Sequence, residues 1–339
     1  MRAYICLYKV NGIAIMKNLT LEQIRNAEFK LYEDNPIIKP FDGSFIVADP
    51  SLLTPDKAVD KKWHMFFHTN LGIYHFISDD GIRFSKVKKI LSRAMRPNIN
   101  YMNGTYYLFY ERTAPLIVNA LTLVNVAKWH SEIYVTKSSD LIHWTKPQSV
   151  ISHTRAFEKD ARGLAISNPY LLEDNGRFVL YYSCGQTFIK DCGFCEPTYI
   201  SYAESKHIDS GYVSAEKPMI SPDKSNPYLN LCSGCLKVYK VRDGYVGFQN
   251  GIYDDNGKSK SAIIMLSSMD GKCFEFEKMI LQPQLDNKKN WMNQFVYASH
   301  LVRYKNRLRL YFNARDIANP LKGRECIGFC EAEIPESRE

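Results

Sequence analysis

The chain has 339 residues, of which 45% are hydrophobic and 13% aromatic, so it can bury a large core and is not an intrinsically disordered chain. The formal net charge is +8, but the 44 Lys and Arg residues are dispersed without a basic run, so nucleic acid is not expected as a partner. No stretch approaches the ~20 apolar residues that span a bilayer, so no membrane association is expected.

Residues 1–37 are predicted to form an N-terminal leader that contains a short helix. Thr20 is followed three residues later by Gln23, which is the pattern of a capping box at a helix start. Leu21, Ile24 and Phe29 supply one apolar face. The leader has no signal-peptide pattern, and the nine cysteines are an odd number, so we expect reduced thiols and a cytoplasmic protein.

From residue 38 to residue 339 one pattern recurs five times: a strand with a polar or Pro-containing opening, a tight turn, and an aromatic strand. The copies open near residues 48, 96, 167, 233 and 299. Asn103-Gly104, Asn175-Gly176 and Asp243-Gly244 are strong hairpin signals between the strands. Ser-Ser or Ser-Asp steps near residues 78, 138 and 267 mark outer strands that bring each copy to four strands. The prediction is an all-β fold, a five-bladed β-propeller, with a two-sheet sandwich as the alternative.

Three of these motifs also carry a family resemblance. They are the Asp-Pro-Ser opening at residues 49–51, the Asn-Gly-x-Tyr-Tyr-Leu hairpin at 103–108, and the Ser-x-Asp-Leu-x-x-Trp turn at 138–144. Over roughly residues 38–334 the chain resembles the five-bladed propeller glycosidases, above all glycoside hydrolase family 43 and its relatives. The resemblance implies a carbohydrate partner, bound where the inner strands converge.

The resemblance also implies roles for the inner-strand openings. Asp49 matches the general base, whereas Asn168 stands where the family has a second aspartate and Ser233 where it has the acid glutamate. His300 matches a histidine that approaches a central ion or water in family members. Asn and Ser do not titrate near neutral pH, so neither can protonate a leaving group. Three explanations follow: another acidic residue supplies the proton, the protein catalyses a different kind of reaction, or it catalyses no reaction.

Propeller topology indicates where another acid could come from. In each blade the inner strand starts at the mouth of the funnel, and the antiparallel second strand runs back and ends there. The end of the second strand and the start of the third strand therefore both face the funnel. Glu111 follows the apolar run 106–110, where burial would raise its pKa as a general acid requires; a structural ion pair with an Arg is the alternative. Glu132 has a similar position. The predicted catalytic residues are thus Asp49, Glu111 and Glu132.

The same rule predicts residues that bind the substrate. They are polar and lie at funnel-side steps: His68, Arg96, Arg112, His130, Arg162, Asn168, Ser233, Gln249, His300 and Arg315, with Glu196 and Asn313 at the same mouth. The four arginines suggest an anionic or phosphorylated sugar, because a guanidinium binds carboxylate or phosphate with two hydrogen bonds.

Two Cys-x-x-C pairs, Cys192 with Cys195 and Cys232 with Cys235, fall on the same face of adjacent predicted blades. Four thiolates at such spacing suit a closed structural zinc site. Buried, unliganded thiols are the alternative.

Three functions remain open from the sequence. The first is a glycoside hydrolase with Asp49 as base. The second is a glycoside phosphorylase, in which the arginines bind inorganic phosphate as the attacking group. The third is a propeller that binds a glycan without cleaving it. The oligomeric state and the role of the insertion 113–129, as a lid or a dimer contact, are not indicated.

Overall fold

A computed structural model describes residues 14–123, 126–284 and 290–336. Residues 1–13 of the predicted leader, 124 and 125 of the insertion, and 285–289 and 337–339 of the predicted propeller domain lie outside the described residues. The described chain is almost all β-structure, in five four-stranded antiparallel sheets with small additions, which confirms the predicted five-bladed propeller.

The elements follow in chain order. The leader holds α1 (Ala14–Lys17), α2 (Leu21–Arg25) and β1 (Lys30–Leu31). Blade one comprises β2 (Ala48–Leu53), β3 (Trp63–Thr69), β4 (Gly72–Ser78) and β5 (Ser85–Leu91). Blade two comprises β6 (Ala94–Met102), β7 (Thr105–Thr113), β8 (Trp129–Ser138) and β9 (Gln148–Ile151), with α3 (Leu116–Leu123) in the predicted insertion.

A 3₁₀ turn (Ala156–Glu158) and the short strands β10 (Lys159–Asp160) and β11 (Gly163–Leu164) lead to blade three. That blade comprises β12 (Ile166–Asp174), β13 (Arg177–Cys184), β16 (Tyr199–Ser205) and β17 (Val213–Ser214), and a side ribbon of β14 (Thr187–Ile189) and β15 (Phe194–Glu196) precedes β16. Blade four comprises β18 (Cys232–Val241), β19 (Gly244–Asp255), β20 (Lys258–Ser268) and β21 (Glu275–Leu281). Blade five comprises β22 (Phe295–Tyr304), β23 (Arg307–Arg315) and β24 (Glu325–Glu333).

The ring closes through the leader. β1 pairs antiparallel with β24, with Lys30 opposite Glu331 and Leu31 opposite Cys330, so it is the outer strand of blade five. The edge strand that β24 would otherwise leave is thereby covered. Just before β1, α2 begins with the predicted capping box, because the Thr20 and Gln23 side chains each bond the other's backbone N–H.

The hydrophobic core lies between neighbouring blades. One cluster, which includes Phe67 and Tyr311, joins blades one and five, and another, which includes Phe109 and Leu180, joins blades two and three. Both faces of most inner and second strands are therefore buried, as expected for sheets packed on both sides. Among the described residues the longest helix, α3, has only eight residues and cannot cross a bilayer.

The outer turns repeat one hydrogen-bond pattern. In blade one, Asp80 Oδ1 accepts from the Ile82 and Arg83 N–H groups and from Ser78 Oγ. Asp140 and Asp270 make equivalent bonds in blades two and four. The Ser-x-Asp steps thus end third strands as predicted, because the carboxylate satisfies backbone donors that the turn leaves unpaired.

Candidate functional site

Each of the five inner strands contains a β-bulge near its start. The register shifts lie between Ala48 and Ser51, Met95 and Asn98, Ser167 and Tyr170, Cys232 and Cys235, and Val296 and Ser299. Asp49, Arg96, Asn168 and Gly234 adopt left-handed backbone angles at these bulges. A bulge re-aims the side chain beside it, which here brings polar groups from separate blades to one axis.

The bulges surround the floor of a cavity of about 760 Å³ at the wide end of the axial channel. Asp49, Arg96 and Asn168 line it together with Gly234 and Tyr297, so all five blades contribute. Its upper wall includes one face of α3. Further lining residues from α3, the start of β8, the side ribbon and blade five are Leu116, Ala120, Trp129, Phe194, Pro320 and Leu321. The predicted funnel is therefore present, with Asp49 at its floor.

Asp49 is largely buried and lies beside a histidine. Its Oδ2 is 3.4 Å from His68 Nδ1, and its own N–H donates to Asn313 Oδ1 at 3.1 Å. His68 Nδ1 accepts the Arg96 backbone N–H at 3.3 Å, which suits a neutral imidazole with its proton on Nε2. Burial lowers the pKa of His68 well below its ordinary range. Burial raises the pKa of Asp49, while the positive charges of Arg96 and Lys237 act against that rise.

Glu196 is the second carboxyl at the floor. It ends β15 in the side ribbon of blade three and lines the same cavity as Asp49. The N–H of Ser233 donates to the carbonyl of Thr198 and that of Gly234 to Pro197, so Glu196 is held beside the opening of blade four's inner strand. Burial raises the pKa of Glu196 to about 7, against opposition from Arg96.

A third carboxyl, Glu325, begins β24 and also lines the cavity. Arg315 Nη1 donates to Glu325 Oε1 at 2.6 Å, and Asn313 Nδ2 donates to Oε2 at 3.0 Å. Burial raises its pKa, and Arg315 opposes the rise. Glu325 is not among the residues predicted from the sequence, although it lies at the start of a third strand, as the predicted Glu132 does.

Arg96 is the cation that these carboxyls share. Its guanidinium forms an ion pair with Glu111, whose side chain is fully buried and does not line the large cavity. Its charge also acts on Asp49 and Glu196. Glu111 therefore occupies the structural ion pair that the sequence left as the alternative, and it orients Arg96 toward the floor.

The other predicted residues are divided between the funnel and its surroundings. Glu132 lies 3.7 Å from an exposed His130, away from the residues that line the cavity. Gln249 donates to the carbonyl oxygen of Ser233 at 2.7 Å, and both side chains are buried outside the lining. His300 lines a smaller cavity at the narrow end of the channel.

The predicted arginine cluster is dispersed. Arg315 lines the funnel, but each of its three nitrogens already donates a hydrogen bond, to Glu325 and to the carbonyl oxygens of Ile317 and Asn319. Arg112 stacks on Tyr134 at 5.3 Å, and Arg162 stacks on Phe188 at 4.0 Å in a side cavity of about 130 Å³.

The four cysteines do not form one set of ligands. Cys192 and Cys232 pack in one apolar cluster, whereas Cys235 turns toward the funnel and its Sγ lies 2.8 Å from Asn250 Oδ1. Burial raises the pKa of Cys192 and of Cys235 to about 12, so both are thiols. In the described part of the chain no three Cys, His, Asp or Glu side chains are grouped to hold a metal ion. The structure gives the zinc site no support, and zinc stays a prediction.

No protein-family model and no curated protein matches the chain by sequence. Among solved structures it is similar to an N-acetylgalactosamine deacetylase from F. plautii, with a TM-score of 0.62 at 12% identity over 91% of this chain and 95% of that one. It is also similar to the catalytic domain of a GH62 α-L-arabinofuranosidase from Coprinopsis cinerea, with a TM-score of 0.60 at 14% identity over 90% and 97%. At such identities the likeness shows a shared fold.

A third similar structure represents the GH130 family of mannoside phosphorylases, which contains glycoside hydrolases that target β-1,2 mannosidic linkages in Candida mannan. Its TM-score is 0.55 at 14% identity, over 89% of this chain and 93% of that one. The fold thus occurs in proteins named for hydrolysis, phosphorolysis and deacetylation, so the choice among these chemistries depends on the side chains at the floor.

Proposed function

We propose that this protein is a glycoside hydrolase whose active site is the wide end of the axial channel. One observation carries the proposal: Asp49 and Glu196, from blades one and three, line the floor of the same cavity around Arg96. Glycosidic bond cleavage ordinarily needs two carboxyl groups in different protonation states. The solved structures that share the fold include several glycosidases, which agrees with this chemistry.

Glu196 is suited to the acid role. With a pKa of about 7 it holds a proton near neutral pH, and it stands beside Ser233, the residue that replaces the acid glutamate of the resembling family. It would donate that proton to the leaving glycosidic oxygen as the bond to the anomeric carbon breaks. Of the predicted acids, Glu111 is paired with Arg96 and Glu132 lies outside the cavity lining, so neither has this access.

Asp49 is suited to the base role. Burial raises the pKa of Asp49, but the charges of Arg96 and Lys237 oppose that rise and favour the ionised form, and the Asn313 side chain fixes the Asp49 backbone. It would take one proton from the water that attacks the anomeric carbon, so the hydroxyl joins the sugar while Glu196 protonates the leaving group. The aromatic rings of Trp129 and Phe194, which line the cavity, offer apolar surface to a sugar ring.

The arginines favour hydrolysis over phosphorolysis. A phosphate co-substrate needs free guanidinium donors at the floor. Arg315 already donates to Glu325 and to two backbone carbonyl oxygens, and Arg112 and Arg162 stack on aromatic rings elsewhere. Arg96 does line the floor, but its guanidinium is ion-paired with Glu111. An anionic group on the sugar would instead meet Lys89 and Arg93, which are exposed at the cavity mouth. We therefore place any anionic character of the substrate at the mouth.

Two variants test the proposal on a panel of aryl glycosides and oligosaccharides. Asp49→Asn and Glu196→Gln should each lower kcat by about 10²–10⁴-fold without loss of folding. The loss of kcat in Glu196→Gln should be smaller with dinitrophenyl glycosides, because their leaving group needs no protonation. The loss of kcat in Asp49→Asn should be the same with these substrates as with others. Glu275→Gln, an exposed outer-strand change, is the control. Wild-type turnover in both variants would remove the assignment, and glycan binding without turnover by the wild type would favour a binding protein.

A further inference from the structure

The funnel changes in chemical character between its floor and its mouth. The floor carries the carboxyl groups of Asp49 and Glu196 beside the guanidinium of Arg96. Higher up, aliphatic side chains line it from two blades that are not neighbours in the ring. These are Leu116 and Ala120 of α3 in blade two, and Pro320 and Leu321 of the β23–β24 loop in blade five. A molecule that fills the funnel therefore meets polar groups at one end and apolar groups at the other.

Two of these aliphatic side chains are open to solvent. Leu116 is 52% exposed and Leu321 is 72% exposed, although both line the cavity. The basic residues that line the mouth, Lys89 and Arg93, belong to another segment, so neither aliphatic wall contributes a charged side chain to the described lining. Sugar hydroxyls placed against these walls would lose water and gain no hydrogen bond, so the walls favour an apolar group.

The α3 side of the funnel has few free hydrogen-bond donors. Trp129 Nε1–H donates to Ser131 Oγ at 2.9 Å, so the one donor of the indole is used inside the protein. Asn119 Nδ2 donates to the Ala114 carbonyl oxygen at 3.1 Å, and Thr122 Oγ1 donates to the Asn119 carbonyl oxygen at 2.6 Å. The polar donors on and beside α3 are thus satisfied within the chain, which leaves mainly apolar surface for a bound molecule.

The side ribbon connects the proposed acid with the apolar wall of blade five. Phe194 and Glu196 are two residues apart on β15, so their side chains share a face, and both line the funnel. A Cβ added to Gly193 would lie 3.7 Å from Pro320 Cγ, so the tip of the ribbon adjoins the β23–β24 loop. Because the acid protonates the leaving oxygen, the leaving group departs on the side of Glu196. It would pass Phe194 and then reach Leu321.

We infer that the substrate is a glycoside with an apolar, aliphatic aglycone, whose sugar lies at the floor and whose aglycone lies against Leu116, Phe194 and Leu321. The inference rests on the proposed function, because it names the leaving group of that reaction. The volume of about 760 Å³ is within the range of about 300–1,000 Å³ that encloses a ligand of this size.

The reaction then releases a free sugar and an aliphatic alcohol. The bond between the anomeric carbon and the aglycone oxygen breaks, and Glu196 gives its proton to that oxygen. The hydroxyl of the attacking water joins the anomeric carbon, and the other proton of the water passes to Asp49. No co-reactant besides water is needed.

Alkyl glycosides of graded chain length test the inference. They would carry the sugar that the aryl glycoside panel selects, with methyl, butyl, hexyl and octyl aglycones below their micelle concentrations. We expect kcat/KM to rise by about two- to fourfold for each methylene that the walls cover, because burial of a methylene favours binding. Turnover of the methyl glycoside with a flat or falling series would overturn the inference and leave the proposed hydrolase in place.

A double variant tests the two leucines. Leu116→Ser combined with Leu321→Ser changes exposed side chains, so the protein should fold, and the octyl-to-methyl ratio of kcat/KM should fall by about tenfold. Met269→Ser is the matched control, because Met269 is 79% exposed at an outer turn and should leave that ratio unchanged. A wild-type ratio in the double variant would overturn the inference.

Calorimetric titration separates this inference from the hydrolase proposal. Octyl and methyl glucosides, galactosides and mannosides would be titrated into the wild type and the double variant. Tighter binding of an octyl member by the wild type alone, without turnover, would support the apolar site and remove the hydrolase. Equal octyl binding by both proteins would show adsorption elsewhere and overturn the inference, as would the absence of binding to every octyl member.

Discussion

The Asn313 side chain joins the backbone of Asp49 to the fifth blade: its Oδ1 accepts the Asp49 N–H at 3.1 Å while its Nδ2 donates to Glu325 at 3.0 Å. Asp49 stands at a left-handed bulge, and a bulged residue has lost the ladder hydrogen bonds that would fix it. The hydrogen bond to the Asn313 side chain takes the place of these missing ladder hydrogen bonds. The position of the proposed base is therefore set from a blade that is distant in the sequence.

Replacing Asn313 should disturb catalysis through this contact. We expect Asn313→Ala to lower kcat/KM by about 10–100-fold, because a small displacement of a reacting group is costly, and to reduce the free energy of unfolding by about 1–3 kcal/mol. Enzyme kinetics and urea unfolding measure the two effects. Asn230→Ala, which removes exposed hydrogen bonds, is the control. A stability loss with unchanged kcat/KM would show that Asn313 does not position Asp49.

The proposed acid predicts the alkaline side of the pH profile. Burial raises the folded-state pKa of Glu196 to about 7, so the proton that it donates is present below that pH and is lost as pH rises through it. kcat/KM of the wild type should therefore fall above about pH 7. The residual activity of Glu196→Gln on dinitrophenyl glycosides should lack that fall. The same alkaline limb in the variant would assign it to another group.

The same pKa predicts how stability depends on pH. Because the folded-state pKa of Glu196 lies above its ordinary value of 4.5, its ionisation favours unfolding, and the wild type should lose stability as pH rises from about 4.5 to about 7. Glu196→Gln should lose less over that interval. Urea unfolding at several pH values measures the difference, and identical pH dependence in both proteins would contradict the raised pKa.

Glu111 is expected to contribute to the stability of the fold and not to serve as the catalytic acid. Glu111→Gln leaves the Arg96 guanidinium without its charged partner in a mostly buried setting, and we expect a loss of about 3 kcal/mol in the free energy of unfolding. Glu204→Gln removes an exposed ion pair with Lys272 and should cost less than about 1 kcal/mol. If Glu111→Gln instead keeps full stability and loses turnover on unactivated substrates alone, Glu111 is the acid.

Gly234 should tolerate no side chain. Its φ of 63° is left-handed, and an added Cβ would lie 1.9 Å from the carbonyl oxygen of Asn250. Gly234→Ala should cost about 2–4 kcal/mol and displace the segment that holds Glu196. Gly257→Ala is the matched control, because that glycine has a φ of 83° with open space around it and should cost only about 1 kcal/mol. Equal losses would attribute the effect to backbone strain alone.

The repeat pattern was sufficient to predict the fold, because hairpin turns and Ser-x-Asp steps are local signals that recur with each blade. Asp49 could be placed at the funnel for the same reason: it adjoins Pro50 at the start of an inner strand. Propeller topology placed Glu196 at the funnel mouth but predicted no role for it. Its position beside the opening of blade four depends on the side ribbon of β14 and β15, which the repeat pattern does not predict.

The placement of His300 shows a limit of the repeat alignment. The pattern took residue 299 as the opening of the fifth inner strand, but β22 begins at Phe295 and its bulge precedes Ser299. Tyr297 therefore occupies the funnel, and His300 lies beyond the bulge at the narrow end. Two or three residues of offset along a strand are enough to exchange one end of the channel for the other, and only the folded structure fixes that offset.

The pairing of β1 with β24 has a consequence for biosynthesis. Lys30 leaves the ribosome early, but Glu331, its partner in the ladder, follows three hundred residues later. Until then the nascent chain exposes unpaired sheet edges at both ends of an open arc, the state in which β-proteins associate with one another. We expect the growing polypeptide to depend on chaperones until the circle is joined, and its folding to be slower than that of a protein with local contacts.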